Sequence, residues 1–164
     1  MNKQQFIYYL TGFIDGEGCF CIALKHQKSA KVRWVLDPVF HVTQHSKDKE
    51  ILYSLQRMFG CGIIIKKYGQ PNTMQFIVQS RRELIEKIIP FFKKYPLLTK
   101  KKDFEIFAEV VEALNQHKHA DKREFIKLLK KIFKMNGGGK QRRYKIQDVL
   151  QSLGSSETMR QTQN

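Results

Sequence analysis

Nine consecutive residues, Leu10-Thr11-Gly12-Phe13-Ile14-Asp15-Gly16-Glu17-Gly18, constrain the fold more than any other stretch of this chain. Phe6, Ile7, Leu10, Phe13 and Ile14 recur at helical spacing, which predicts a helix from about Gln4 to Ile14. Thr11 and Gly12 lack bulk in its middle; this weakens the helix but lets another backbone approach closely. Gly16 and Gly18 are expected to break the helix and hold Glu17 at its end. A helix C-terminus carries partial negative charge, so an acid there is electrostatically misplaced. A bound cation would resolve the conflict. The pattern alone also describes a plain core helix stopped by glycine, with one exposed acid.

The chain has 164 residues, enough for one domain with its own core. It has no apolar run long enough to span a membrane and no signal or transit peptide at its N-terminus. Thirty Lys and Arg against 15 Asp and Glu give a net charge of +15, which points to a polyanionic partner, DNA or RNA. Cys19, Cys21 and Cys61 show no CxxC spacing and form an odd set, which argues against a disulfide framework. They read as reduced, small strand residues in preference to a zinc site built with His41 or His45.

After the glycines, residues 19–25 alternate: Phe20, Ile22 and Leu24 take one face, Cys19, Cys21, Ala23 and Lys25 the other. A second strand is expected from about Lys31 to Gln44, with a bend or bulge at Asp37-Pro38. Ser46 is the expected N-cap of a second helix, which Gly60 stops. A second hairpin, 63–68 and 73–79, precedes a capping box at Ser80–Glu83 and a helix that Pro90 ends or kinks. Helices are then predicted over 102–116, after Asp121, and over 146–153, with a glycine linker at 137–139. The domain is thus read as 1–153, with a core over about 4–116, C-terminal helices over about 121–153, and a polar, disordered tail over 154–164.

The nonamer resembles the signature of the LAGLIDADG homing endonucleases, with Thr11 where alanine is usual, and the order of elements agrees with that family over 6–153. The resemblance implies an α+β fold with an αββαββα core and a four-stranded antiparallel sheet that saddles DNA. It implies that Glu17 and the Gly16 carbonyl hold a catalytic Mg²⁺ or Mn²⁺, while Asp15 supports the helix terminus. Hard divalent ions prefer such oxygen ligands. Gln44, at the end of Phe40-His41-Val42-Thr43-Gln44, falls at a position that orders active-site water. In Thr99-Lys100-Lys101-Lys102 the alignment puts Lys100 at the active-site lysine, with Lys102 as the alternative. Three ammonium groups at a helix start oppose its dipole, and phosphate between them would make sense of the cluster.

Base reading is expected from the open face of the sheet, from Lys25, Gln27, Arg33, Asp37, His41, Lys67 and Gln75. Lys47, Lys49, Arg142 and Arg143 are expected to contact phosphates and position the duplex, and Lys102 is expected among the DNA-binding residues. No second copy of the motif is found, and family members with one motif work as homodimers. Leu10, Thr11, Gly12 and Phe13 are therefore the expected dimer interface. The implied activity is a metal-dependent double-strand cut in a long, roughly palindromic site, promoting intron mobility in a chloroplast, mitochondrion or archaeal cytoplasm. Two rivals remain: a maturase that binds its own intron RNA, and a non-catalytic DNA-binding module on the same fold. The acid at Glu17 favours cleavage over both.

Overall fold

A computed structural model describes residues 2–137 and 142–161. Helix α1 (Lys3–Glu17) leads into β1 (Gly18–His26) and β2 (Trp34–His45). A 3₁₀ turn (Ser46–Asp48) opens α2 (Glu50–Phe59), followed by the hairpin β3 (Ile63–Lys66) and β4 (Thr73–Val78). Next come α3 (Arg81–Glu83), a π turn (Leu84–Ile88) and α4 (Ile89–Lys94), which run on as one rod. Helices α5 (Lys101–Asn115), α6 (Lys122–Ile132) and α7 (Ile146–Gln161) complete the chain. The fold is α+β as predicted, with one antiparallel sheet in the order β1-β2-β4-β3.

Helix α1 is longer than its apolar spacing suggests. The Asn2 side chain accepts the Gln5 N–H and the Gln5 side chain accepts the Asn2 N–H, a capping box that starts the helix early. At the other end Asp15, Gly16 and Glu17 remain helical, and only Gly18 ends the helix. Gly18 has an ordinary extended conformation, so freedom of φ is not why glycine stands there. A Cβ at Gly18 would lie 2.6 Å from both Ile14 Cγ2 and the Ile14 carbonyl oxygen.

Strict alternation gives the sheet two unlike faces. Phe20, Ile22, Leu36, Phe40, Val42, Phe76 and Val78 are buried beneath the helices. Phe20 is the hub: its ring centroid lies 5.0 Å from Phe40, 5.4 Å from Phe92, 5.3 Å from Phe104 and 5.3 Å from Phe107. It thereby joins β1 and β2 to α4 and α5. Burying one such ring contributes about 1.5–3 kcal/mol.

Strand β2 starts at Trp34, not Lys31, because Arg33 sits in the hairpin turn at φ +59. The expected bulge at Asp37-Pro38 is absent; Asp37 pairs with Ala23 and Pro38 with Ile22 in unbroken register. The Gln27 N–H to Arg33 C=O bond sets the ladder's alternation. That alternation makes Pro38–Ile22 a non-hydrogen-bonded pair. The missing N–H faces the flank where β4 has already ended at Val78, so proline costs no ladder bond.

Ser46 does not cap α2. It opens the 3₁₀ turn, where the His45 side chain accepts the Lys47 N–H, and α2 has no side-chain cap. Gly60 ends α2 in the left-handed conformation, as its position predicts. Pro90 does not end its helix. The π turn just before it widens the backbone where the ring would strike the preceding carbonyls, and the helix continues to Lys94.

The C-terminal helices dock on this core. Asp121 caps α6 through the Glu124 N–H, and Trp34 Nε1 donates to Ser152 Oγ at 2.9 Å, holding α7 against the start of β2. Helix α7 continues to Gln161, past Leu153, where the sequence pattern ends it and predicts a disordered tail. Of the expected glycine linker, Gly138 and Gly139 lie outside the described residues. Asn136 Nδ2 donates to the Phe20 carbonyl and Arg142 to the Ile22 carbonyl, along the outer edge of β1.

The end of α1 is tied to the start of α5. The Asp15 carboxylate accepts the backbone N–H groups of Leu98, Thr99 and Lys100 at 3.0–3.1 Å, and the Thr99 hydroxyl donates to the Asp15 carbonyl. Three successive N–H groups form a nest for one anion. Burial pushes the Asp15 carboxyl up, but the N–H groups of Thr99, Lys100 and Leu98 with the Thr99 hydroxyl outweigh it, and its pKa lies below the usual 3.8.

Two outcomes follow from these contacts. Gly18→Ala should destabilise the fold by about 1–3 kcal/mol, read as a lower urea midpoint, because the added methyl meets helix backbone that cannot yield. Asp15 has a depressed folded pKa, so its contribution is present above pH 3.8 and lost as pH falls through the folded value. Asp15→Asn should therefore lower the urea midpoint at pH 7, and the difference should shrink as pH falls below 3.8.

Candidate active site and sheet surface

The cation required at the end of α1 is, within this chain, the Lys100 ammonium. Its Nζ donates to the carbonyl of Asp15 at 2.5 Å and to that of Gly16 at 2.7 Å. A positive charge there meets the carbonyls left open by the helix C-terminus. Lys100 stands immediately before α5 because Asp15 holds its N–H, so backbone and side chain are fixed together. Lys102, the alternative, is exposed in the first turn of α5 and makes none of these bonds.

Glu17 is the last residue of α1, exposed, and its carboxylate has no hydrogen bond or ion pair among the described residues. A Cβ added at Gly16 would meet nothing within 4 Å, so its Cα faces open space, while its carbonyl accepts the Lys100 ammonium. Gln44 lies two residues beyond the Gly18–Val42 pair, where β2 passes the end of α1. Its Oε1 accepts the His45 N–H at 2.7 Å, which leaves the Nε2 as the donor end. Glu17, Gly16, Gln44 and Lys100 thus converge on one end of the molecule. Glu17 and the Gly16 carbonyl are hard oxygen donors that suit Mg²⁺ or Mn²⁺.

The open sheet face carries Lys25, Asp37, His41 and Gln75 at one parity, and Lys67 follows β3, its N–H donating to the Thr73 carbonyl. Lys25 and Asp37 form an ion pair across the strands, and Gln75 Nε2 donates to Thr43 Oγ1 at 3.1 Å. Gln27 and Arg33 belong to the hairpin tip and not to the strands. Lys47 and Arg143 are exposed. Arg142 is a correction: its guanidinium is committed to the Ile22 and Ile132 carbonyls at 2.8 and 2.7 Å and stacks on Phe133. It fastens the C-terminal segment and is not free for phosphate.

The helix face also needs correction. Leu10 and Thr11, expected at a dimer interface, are buried in their own subunit, and the Thr11 hydroxyl donates to the Ile7 carbonyl. The outward face carries Tyr8, Tyr9, Gly12 and Gly16, with Phe13 half-buried beside them, and open space lies over both glycines. The spacing Tyr9, Gly12, Gly16 was visible in the sequence as a second stripe beside the apolar one. Ile63 and Ile65 were missed as surface residues: they stand exposed on the open face, opposite Ile77 and Gln75. The run Ile63-Ile64-Ile65 hid which two of the three face outward.

Cys19 and Cys21 are free thiols on the same face. The hydrogen bond from Cys21, aided by His41 and opposed by burial, holds the Cys19 thiol down at about 5. The same bond and burial push Cys21 up.

Residues 10–111 match the model of the LAGLIDADG endonuclease family. The homing endonuclease I-ApeII of Aeropyrum pernix is 36% identical over 111 residues, 68% of this chain and 65% of that protein. The DNA endonuclease I-CeuI of Chlamydomonas moewusii is 32% identical over 72% of this chain and 56% of its own length. The chain thus spans less than two thirds of the length of these curated relatives. The solved structure of the archaeal intron-encoded homing endonuclease I-Vdi141I, complexed with DNA, superimposes with a TM-score of 0.88. It is 30% identical, and the match covers 96% of this chain and 99% of that one. With the motif helix, the antiparallel sheet and the matched segment in agreement, the chain belongs to the LAGLIDADG endonuclease family.

Proposed function

We propose that this chain is one subunit of a homodimeric homing endonuclease that makes a double-strand break in a long, roughly palindromic DNA site. The observation that carries the reading is Glu17: an unpartnered carboxylate next to the Gly16 carbonyl, which accepts the Lys100 ammonium at the same helix end. A bound Mg²⁺ or Mn²⁺ would stabilise charge on the phosphate and make a bound water more acidic. Glu17 and the Gly16 carbonyl would hold it. Lys100 supplies fixed positive charge where the phosphoryl group becomes more negative. Gln44, its Oε1 anchored, offers its Nε2 to orient water.

One chain carries one such centre, and cutting two strands needs two. The open glycines of α1 suit close packing against the same helix of a second copy, with Tyr9 and Phe13 alongside. The net charge of +15 suits a duplex laid on the open sheet face. There Lys25, Asp37, Lys67 and Gln75, with Gln27 and Arg33 at the hairpin tip, are placed for base edges. Ile63 and Ile65 are suited to thymine methyl groups. Lys47, Lys102 and Arg143 are suited to phosphates. Among the described residues no helix is long and apolar enough to cross a membrane.

The deciding experiment is digestion of a duplex carrying the intron insertion site, with and without Mg²⁺. Glu17→Gln should retain duplex affinity and cut at least about a hundredfold more slowly. Lys100→Met should likewise lower the single-turnover rate far more than the affinity, whereas Lys102→Met should weaken binding and flatten its salt dependence. A Glu17→Gln variant that cuts normally would remove the assignment, and tight binding to intron RNA without cleavage would favour a maturase.

Gly12→Leu should fold, because nothing in the subunit occupies the space over that residue. Sedimentation should then show a monomer that does not cleave; a dimer of unchanged activity would put the interface elsewhere.

A further inference from the structure

Cys19, Cys21 and His41 take no part in the chemistry above. Strand alternation puts both cysteines on one face of β1, and the register sets His41 directly across from Cys19. Their Sγ and imidazole nitrogen atoms all lie within 4.8 Å of one another, with Cys21 Sγ to His41 Nδ1 at 4.0 Å. All three are half-buried and line a cavity together with Phe133, Asn136, Arg142 and Tyr144. Neither thiol is committed to a disulfide.

We propose that Cys19, Cys21 and His41 form a three-ligand site for a thiophilic divalent ion of the Zn²⁺ class, separate from the hard-metal position at Glu17. Tetrahedral zinc bonds of about 2.3 Å to sulfur and 2.0 Å to nitrogen put neighbouring donors roughly 3.5–3.8 Å apart. The observed spacings exceed this by at most about 1.3 Å, which small side-chain rotations on fixed strands can close. Each thiol gives its proton to solvent on binding, and two thiolates with a neutral imidazole balance the ion's charge. Soft sulfur ligands select against Mg²⁺. The fourth position opens to the cavity and takes water. The ion cross-links β1 to β2 two residues after Glu17, and it withdraws His41 from base reading.

The test uses the full chain in reducing buffer free of chelator, titrated with Co²⁺ and then Zn²⁺. One Co²⁺ per subunit should give a near-ultraviolet thiolate-to-metal charge-transfer band and tetrahedral visible bands, both lost when one equivalent of Zn²⁺ is added. Cys21→Ser and His41→Ala should each weaken Zn²⁺ binding at least tenfold while keeping the far-ultraviolet circular dichroism of the parent. Zn²⁺ should raise the melting temperature of the parent and not of Cys21→Ser. Cys61→Ala and Glu17→Gln should leave the cobalt spectrum unchanged. Absence of the charge-transfer band, its survival in Cys21→Ser, or its loss in Glu17→Gln would each overturn the proposal.

Discussion

The site depends on a reciprocal exchange between α1 and the chain entering α5. Asp15, on the last turn of α1, gives its carboxylate to the N–H groups of 98–100, and Lys100 returns its ammonium to the α1 carbonyls. Each group sits where its own helix end disfavours it, an acid at a C-terminus and a lysine before an N-terminus. Together they cancel both conflicts. Glu17 is left as the acid with no partner among the described residues, and that difference between neighbouring carboxylates divides the structural role from the proposed chemical one. Of the two acids, only Asp15 faces the incoming chain.

The exchange would not hold if the two elements could slide. Phe20 prevents this, since its ring is wedged among Phe40 of β2, Phe92 of α4 and Phe104 and Phe107 of α5. Phe20 is only three residues past the end of α1. Gly18, between them, permits the abrupt change from helix to strand because no side chain stands between Ile14 and the first pair of the sheet. A rigid aromatic cluster therefore lies directly beneath the polar end of the helix. The precision of the polar groups is inherited from the packing of the apolar ones.

Much of this was legible in the sequence because it is periodic or local. The parity of residues 19–25 and the left-handed Gly60 follow from local rules, as does the Asp121 cap. What escaped was set by distant partners. Asp15 was read as supporting the helix end, but the N–H groups that satisfy it lie 83–85 residues away. Arg142 looked like one more surface cation, and only the folded chain reveals that it lies against two carbonyls and a phenyl ring. Leu10 and Thr11 belong to the small and apolar run of the helix, yet helical phase turns them inward and Gly12 outward. A single sequence fixes the stripes of a helix more readily than which stripe meets its own core. Pro38 shows the same limit: a local rule expects a defect, and the ladder's alternation removes the need for one.

The bonds from Asn136 and Arg142 to the Phe20 and Ile22 carbonyls have a consequence for solubility. Strand β1 forms one border of the sheet, and a bare border is a template on which a strand of another molecule can assemble. Here two of its outward acceptors are taken by the Asn136 and Arg142 side chains, which guard the border. The opposite border, β3, is only four residues long and ends in lysine, so it offers little to build on. Growth of the sheet is thus blocked by side-chain amide and guanidinium groups on one flank and by brevity on the other. A basic protein with isoleucines on its open face is thereby kept from polymerising through its edges before it meets a partner.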